Sequence, residues 1–373
     1  MTERPEPMIG MGKIGIGMIG CGMIGQIHAD GIAKLVDDGV ARAVVGADPS
    51  PDARAGAQRN AGFERMTDDP HEVIEDPEVD AVMICSPTRT HPELVRAVVE
   101  AGKPMLCEKP LATTFDAVRE MCDAVEASGL VAQVGFHSRF HPLVREVKAI
   151  VDDGRMGRVI AYTVRDDQYW PTGDVVPGHS SWRSQREHSG GGALLEHSIH
   201  AADVCNWLFG RPTEVFAKQR SLFGYDVEDA AALTIDHESG VIGNLVTVFH
   251  GGRGREERRI EVFLEGGAVE LTHDFVVGAS EDSFLVHAAD APPERIDPAA
   301  LRAAHFAAMG VDRPDVFFYL YVADRAWVES VRAGVPAHPG VADAFEAHLL
   351  VEGAYRSADQ DRPVALDGLR RGN

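Results

Sequence analysis

Ile14-Gly15-Ile16-Gly17-Met18-Ile19-Gly20-Cys21-Gly22-Met23-Ile24-Gly25 runs from an apolar stretch into a G-x-G-x-x-G turn, and a helical pattern begins at Met23. A glycine-rich turn alone often has only a structural role, but a buried strand before it and a helix after it give it a specific reading. Gly20 permits the tight turn, Gly22 lets the backbone approach a pyrophosphate, and Gly25 allows close helix–strand packing. Cys21, Met23 and Ile24 complete a turn whose N–H groups, at the helix start, receive negative charge. Asp48 closes the next apolar run, Val45-Gly46-Ala47-Asp48, at about the twenty-residue distance expected for a ribose-binding carboxylate. A carboxylate there repels a 2′-phosphate, and Pro49-Ser50 follows with no immediate arginine to receive one. The expected cofactor is therefore NAD, with NADP disfavoured.

Working outward, Lys13–Ile19, Ala41–Ala47, Ala81–Cys85, Lys103–Cys107 and Leu130–Gly135 read as buried strands. Ile24–Leu35, Pro92–Ala101 and Phe115–Ala127 show helical spacing of apolar residues. This alternation predicts a parallel, doubly wound sheet, an N-terminal Rossmann domain over residues 13–137 behind a flexible tail of residues 1–12. After roughly residue 155, strand-like runs follow one another: Val159–Val164, Glu214–Leu222, Ala230–Asp236, Val241–Gly251, Arg259–Glu265 and Ala268–Thr272. Turn signals such as Glu238-Ser239-Gly240 and Gly266-Gly267 separate them, which predicts a mostly antiparallel sheet. Helical patterns at Ala193–Leu208, Val316–Ala333 and Val341–Ala358 make residues 138–373 an α+β domain, while residues 274–300 have weak periodicity and no assignment. The fold class is α/β.

The chain has 373 residues, enough for two cores, and the 45% hydrophobic and 25% charged fractions of an ordinary globular protein. A net charge of −22 argues against a nucleic-acid backbone or an anionic membrane as partner. No run approaches the apolar length of a membrane span. Five scattered cysteines without C-x-x-C suit reduced thiols, so a cytoplasmic protein is expected.

Cys107-Glu108-Lys109-Pro110 lies at the end of the fourth of these strands. Proline biases Lys109 toward an extended or turn conformation, and in open α/β sheets ligands sit at strand carboxyl ends. A cation there, next to a nicotinamide ring, could stabilise a developing alkoxide.

These motifs, in order, resemble the glucose–fructose oxidoreductase / inositol dehydrogenase / rhizopine catabolism (Gfo/Idh/MocA) family. The resemblance rests on Gly20–Gly25, Ser86-Pro87-Thr88 with His91, Glu108-Lys109-Pro110, Gly135-Phe136 with Arg139-Phe140, Gly190–Gly192 through His200, Asp203, and Asp361–Leu366. It implies a Rossmann domain followed by an α/β domain with a large open sheet that commonly forms the subunit interface, hence a homodimer or homotetramer. It also implies hydride transfer between a nicotinamide cofactor and a secondary alcohol of a sugar, cyclitol or related polyol. Cofactor contacts would include Ser86, Pro87, Thr88, His91, Glu108 and Lys109. Chemistry would be carried by Lys109 with the pair Glu196 and His200, and here Glu196 replaces the family's usual aspartate and Ser198 a frequent glycine.

On a helix, Glu196 and His200 are i and i+4 and share a face, with Asp203 one turn further as a structural partner. A carboxylate beside an imidazole raises its pKa and can fix its orientation, as a general base near neutral pH requires. His200 would then take the hydroxyl proton while Lys109 stabilises the oxyanion. Tyr169-Trp170 and Trp182-Arg183 suit a polyol pocket, since aromatic faces pack on C–H surfaces and a guanidinium donates forked hydrogen bonds. His197 belongs to the same polar pocket, and Arg139 either holds a loop near the cofactor or reaches the substrate. The histidines His137, His141, His179, His188, His197 and His200 keep a metal site open as a minority reading, although no His-Glu-x-x-His or thiolate set completes it. Two rivals share the motifs: an enzyme that retains NAD and oxidises a sugar transiently during elimination, hydrolysis or epimerisation, and a non-catalytic NAD-binding regulatory protein.

Overall fold

A computed structural model describes residues 12–169, 181–250, 257–273, 282–308 and 318–372. The chain divides into two compact units, Met1–Phe136 with Leu320–Phe345, and His137–Tyr319 with Glu346–Asn373. A boundary drawn along the sequence at residue 137 has no means of including the segment that returns to the first unit.

The first unit opens with β1 (Ile14–Ile19), α1 (Met23–Asp37), β2 (Ala41–Ala47), α2 (Pro51–Ala61), β3 (Arg65–Thr67) and α3 (Pro70–Glu75). It continues with β4 (Ala81–Ile84), α4 (His91–Glu100), β5 (Met105–Cys107), α5 (Phe115–Ser128) and β6 (Ala132–Val134). All six strands are parallel in the order β3-β2-β1-β4-β5-β6, the doubly wound order of a dinucleotide-binding fold. Every residue of β1 and β4 is buried, which is why both read as unbroken apolar runs rather than as alternation. The short β3 and the helices α2 and α3 escape a reading based on apolar periodicity, because α2 is Pro-Asp-Ala-Arg-Ala-Gly-Ala-Gln-Arg-Asn-Ala. Its ends carry the signal instead: Ser50 Oγ accepts from Ala53 N at 3.3 Å, Pro51 fills the first turn, and Gly62 closes the helix at φ 68°.

The second unit contains α6 (Pro142–Asp153), β7 (Val159–Tyr169), α7 (Arg186–Ser189), α8 (Ile199–Phe209), β8 (Pro212–Arg220), β9 (Ala230–His237) and β10 (Ile242–His250). Then follow β11 (Arg258–Leu264), β12 (Gly267–His273), β13 (Ser283–Ala288), β14 (Glu294–Ile296) and α9 (Pro298–Ala308). The helix α10 (Phe318–Ala333) runs into the first unit's returning segment, and α11 (Val341–Gln360), β15 (Val364–Ala365) and α12 (Leu366–Arg370) complete the chain. Nine strands form one sheet, ordered β14-β13-β12-β11-β7-β10-β9-β8-β15. Its ladders are antiparallel except that β7 and β10 run parallel, with Ile242 opposite Ala161. Strands β9 and β10 alternate buried and exposed residues, the mark of a sheet packed on one face. The expected end of β10 at Gly251 and the tail up to residue 11 lie outside the described residues.

Candidate active site

In the first unit the glycine turn behaves as its residue types require. Gly20 has φ +94°, and a Cβ on it would come within 2.5 Å of Ser86 N. A Cβ on Gly25 would overlap the Gly20 carbonyl, so α1 can lie this close to β1 only with glycine there. At Gly22 a Cβ would meet nothing within 4 Å, and α1 begins there with no side-chain cap and no acidic residue in its first turn. An uncapped helix start facing open space is a fit for a pyrophosphate. Asp48 Oδ2 accepts from Cys21 N at 2.8 Å and Oδ1 from Ser50 N at 2.8 Å, which ties this carboxylate to the glycine turn.

Arg54 was not visible as a neighbour of Asp48 in the sequence, yet one turn of α2 brings its guanidinium to the carbonyls of Asp48 and Pro49. No arginine follows Asp48 immediately, and this one is engaged with backbone oxygens.

After β4, Ser86 Oγ bonds Thr90 Oγ1 at 2.7 Å, and Thr88 is buried. His91 is also buried, with Nε2 2.8 Å from the Ser86 carbonyl and Nδ1 2.9 Å from that of Pro110. It staples the turn after β4 to the Glu108-Lys109-Pro110 turn after β5. Burial pulls its pKa down, against the two carbonyls. The Lys109–Pro110 peptide is cis. Glu108 is buried, and its Oε2 accepts from the Lys109 backbone N at 3.1 Å.

In the second unit, the expected single helix from Ala193 to Leu208 is two pieces. Ala193–His197 forms a π-helical turn, Ser198 N bonds the Ala193 carbonyl at 2.9 Å, and α8 starts only at Ile199. Glu196 and His200 therefore do not share a face by regular i, i+4 geometry, and the orienting role argued from that spacing loses its ground. Wide turns of this kind recur at functional sites. Glu196 Oε1 instead accepts from Arg183 Nε at 2.6 Å, and the Arg183 guanidinium lies 4.6 Å from the centre of the Trp182 ring.

His200 is buried, its ring 4.2 Å from that of His137 between centroids. His197 Nε2 lies 3.0 Å from Asp166 Oδ1, the same oxygen that accepts from Arg258 Nε at 3.0 Å. Burial alone would raise the Asp166 pKa, but His197 and Arg258 outweigh it and hold this carboxyl well below its usual range. Arg139 forms a fork with Asp203, Nε to Oδ2 at 2.8 Å and Nη2 to Oδ1 at 2.6 Å. Of the two roles open to Arg139, the fork fits holding the loop His137–Phe140 against α8. Tyr169 ends β7, half-buried, and Trp170 lies outside the described residues, as does His179.

Two of the three glycines before the π-turn sit against other groups of this unit. A Cβ on Gly191 would overlap the Tyr355 hydroxyl, and one on Gly192 the Glu228 carbonyl. Glu228 Oε1 accepts from Gly192 N at 2.9 Å and Leu194 N at 3.0 Å. Among the described residues, no group of three or more His, Cys, Asp or Glu is placed to hold a metal ion, and no helix is long and apolar enough to cross a membrane. Sequence reasoning missed His28, Arg54, Asp166, Glu228, Arg258 and Asp324. A histidine on the apolar face of α1 was the one local hint.

Residues 14–136 match the oxidoreductase family with an NAD-binding Rossmann fold, and residues 144–270 match the Gfo/Idh/MocA C-terminal domain. Myo-inositol 2-dehydrogenase of Thermotoga maritima is 28% identical over 369 residues, covering 96% of this chain and 98% of that protein. The scyllo-inositol 2-dehydrogenase (NAD(+)) of Bacillus subtilis is 30% identical over 271 residues, 70% of this chain and 75% of that protein. Levoglucosan dehydrogenase in complex with NADH and levoglucosan superposes with a TM-score of 0.84 at 25% identity, covering 95% of this chain and 99% of that one. With its uncapped glycine turn, its Asp48 carboxylate and both domain matches, this chain belongs to the Gfo/Idh/MocA family of NAD-binding oxidoreductases.

Proposed function

We propose that the protein oxidises, or in reverse reduces, a secondary alcohol of a sugar, cyclitol or related polyol. NAD, held by Gly20–Gly25, Asp48 and the Ser86–Thr88 turn, supplies when bound the nicotinamide C4 that accepts or returns hydride. Lys109 stabilises the negative charge that develops on the substrate oxygen, and His200 takes the hydroxyl proton. Glu196, held by Arg183, is the carboxylate that meets substrate hydroxyls. His197, Tyr169 and Trp182 are the second unit's further candidates for contact with the polyol.

The observation that carries this reading is the placement of Glu108-Lys109-Pro110. It follows β5, beside β4 and one strand further from β1, at the carboxyl edge where the glycine turn also lies. The inositol and levoglucosan dehydrogenases named above support the polyol class. Five buried, unbridged cysteines support a reducing compartment such as the cytoplasm. The exposed side chains Ile242, Val246 and Phe263 on one face of the nine-stranded sheet support a homodimer or homotetramer formed through it.

The test is a spectrophotometric screen of NADH formation with myo-inositol, scyllo-inositol, levoglucosan and aldoses, run beside Lys109→Ala and His200→Ala. Each substitution is expected to lower kcat by roughly a hundredfold or more while NADH binding persists. Full turnover by Lys109→Ala would overturn the assignment.

A further inference from the structure

Among the apolar residues on the inner face of α1 (Ala29, Ile32 and Leu35) lies His28, a group that burial should strip of charge. The surroundings do the reverse. Its Nδ1 lies 2.9 Å and 3.0 Å from the two oxygens of Asp324, and its Nε2 lies 3.1 Å from Glu108 Oε1. Side-chain exposures are 3% for His28, 5% for Glu108 and 0% for Asp324. An imidazole that donates from both nitrogens is the cation, and carboxylates on both sides favour that form.

The space for these groups is reserved. A Cβ on Gly31 would come within 2.6 Å of Asp324 Oδ2, and one on Gly135 would overlap the Glu108 carboxylate. Glu108 uses its second oxygen to receive the Lys109 backbone N–H, and His91 grips the Pro110 carbonyl on the other side of the lysine. The chain thus runs Asp324, His28, Glu108, Lys109 without a gap. Burying three ionisable groups is a costly way to pack helices on a sheet, and apolar side chains would serve stability as well. A cost of that kind is intelligible where a reacting group must be held still.

We propose that His28 and Asp324 are positioning residues for the reaction, a buried relay that fixes Glu108 and through it the Lys109 turn. The inference rests on the catalytic reading of Lys109 and deepens it. Other titratable groups around the relay are Lys34 on α1, Cys85 after β4, Cys107 on β5 and His91 on α4.

The experiment labels the full-length protein by reductive 13C-methylation and follows the lysine resonances by NMR, assigning Lys109 as the one lost in Lys109→Ala. His28→Gln and Asp324→Asn are both expected to shift the Lys109 resonance. Those of Lys148 and Lys218, in the other unit, should stay in place. In turnover, each substitution should lower kcat by about tenfold to a hundredfold with the NADH dissociation constant held within about twofold, and should cost nothing further in the Lys109→Ala background. Asp324→Asn preserves side-chain shape and carries the test should His28→Gln fail to fold. An unmoved Lys109 resonance in Asp324→Asn, or an equal loss in the Lys109→Ala background, would overturn the relay. A Lys109 resonance that moves as expected while Lys109→Ala turns over at full rate would instead overturn the catalytic reading and leave the relay standing.

Discussion

Tyr355 donates its hydroxyl to Glu228 Oε1 at 2.8 Å, across 127 residues of sequence. The same oxygen receives the N–H groups of Gly192 and Leu194, so a tyrosine on α11 and a glutamate before β9 together pin the start of the π-turn that carries Glu196 and His197. Burial, and then the adjacent carboxylate, push the phenol pKa well up, which keeps it a donor.

Tyr355→Phe removes the hydroxyl that donates to this buried carboxylate and that also receives the Leu195 backbone N–H. Loss of about 1.5–3 kcal/mol is expected. It should read as a fall in Tm of several degrees by calorimetry, together with a lower kcat as the glycine turn loosens. An unchanged Tm would mean that Gly192 and Leu194 alone satisfy Glu228.

Alkaline pH should weaken the first unit through His28. Burial, the largest single influence, draws its pKa down, but Asp324 and Glu108 prevail and push it up to about 10 from the ordinary 6.5. A pKa raised on folding means that the stabilisation is full below pH 6.5 and is lost as pH rises through about 10. Thermal melts between pH 6.5 and 10.5 should show this decline in the wild type and a flatter profile in His28→Gln. Parallel profiles would refute the charged state of His28.

Asp48→Ser tests the cofactor preference. The substitution removes the carboxylate proposed to receive the ribose and leaves Arg54 beside the same strand end. A hydrogen bond to a charged group contributes about 1.5–3 kcal/mol, so kcat/KM for NAD should fall by roughly tenfold to a hundredfold. The NAD-to-NADP ratio should fall with it. A ratio that stays constant would remove Asp48 from the specificity assignment.

The parts of this fold that showed in the sequence are those whose signal is local. Ile14–Ile19 and Ala81–Ile84 are apolar throughout because both faces are covered, and the glycines at 20, 22 and 25 mark one turn within six residues. The antiparallel run from β8 to β12 showed because its residues alternate. What escaped depends on partners far along the chain. His28 finds Asp324 across 296 residues, and Arg258 finds Asp166 across 92. Nothing in the spacing of Glu196 and His200 distinguishes a π-turn from an α-turn. The widening follows from hydrogen bonds set by Gly192, Glu228 and Thr247, the last donating to the Ala193 carbonyl at 3.1 Å.

The return of residues 320–345 to the first unit has a consequence for how the protein is made. Val134 N bonds the Pro339 carbonyl, Gln133 reaches the Ala323 carbonyl, and Asp324 balances His28. A ribosome that has delivered every strand of the nucleotide-binding sheet has therefore not delivered the helix that closes it. At roughly 5–20 residues per second the wait lasts on the order of ten seconds or more. Through that interval the edge of β6 and the His28–Glu108 pair stay incompletely covered, open to chaperones and proteases. The first unit is the first to be started, yet it is not complete until Phe345 has been added.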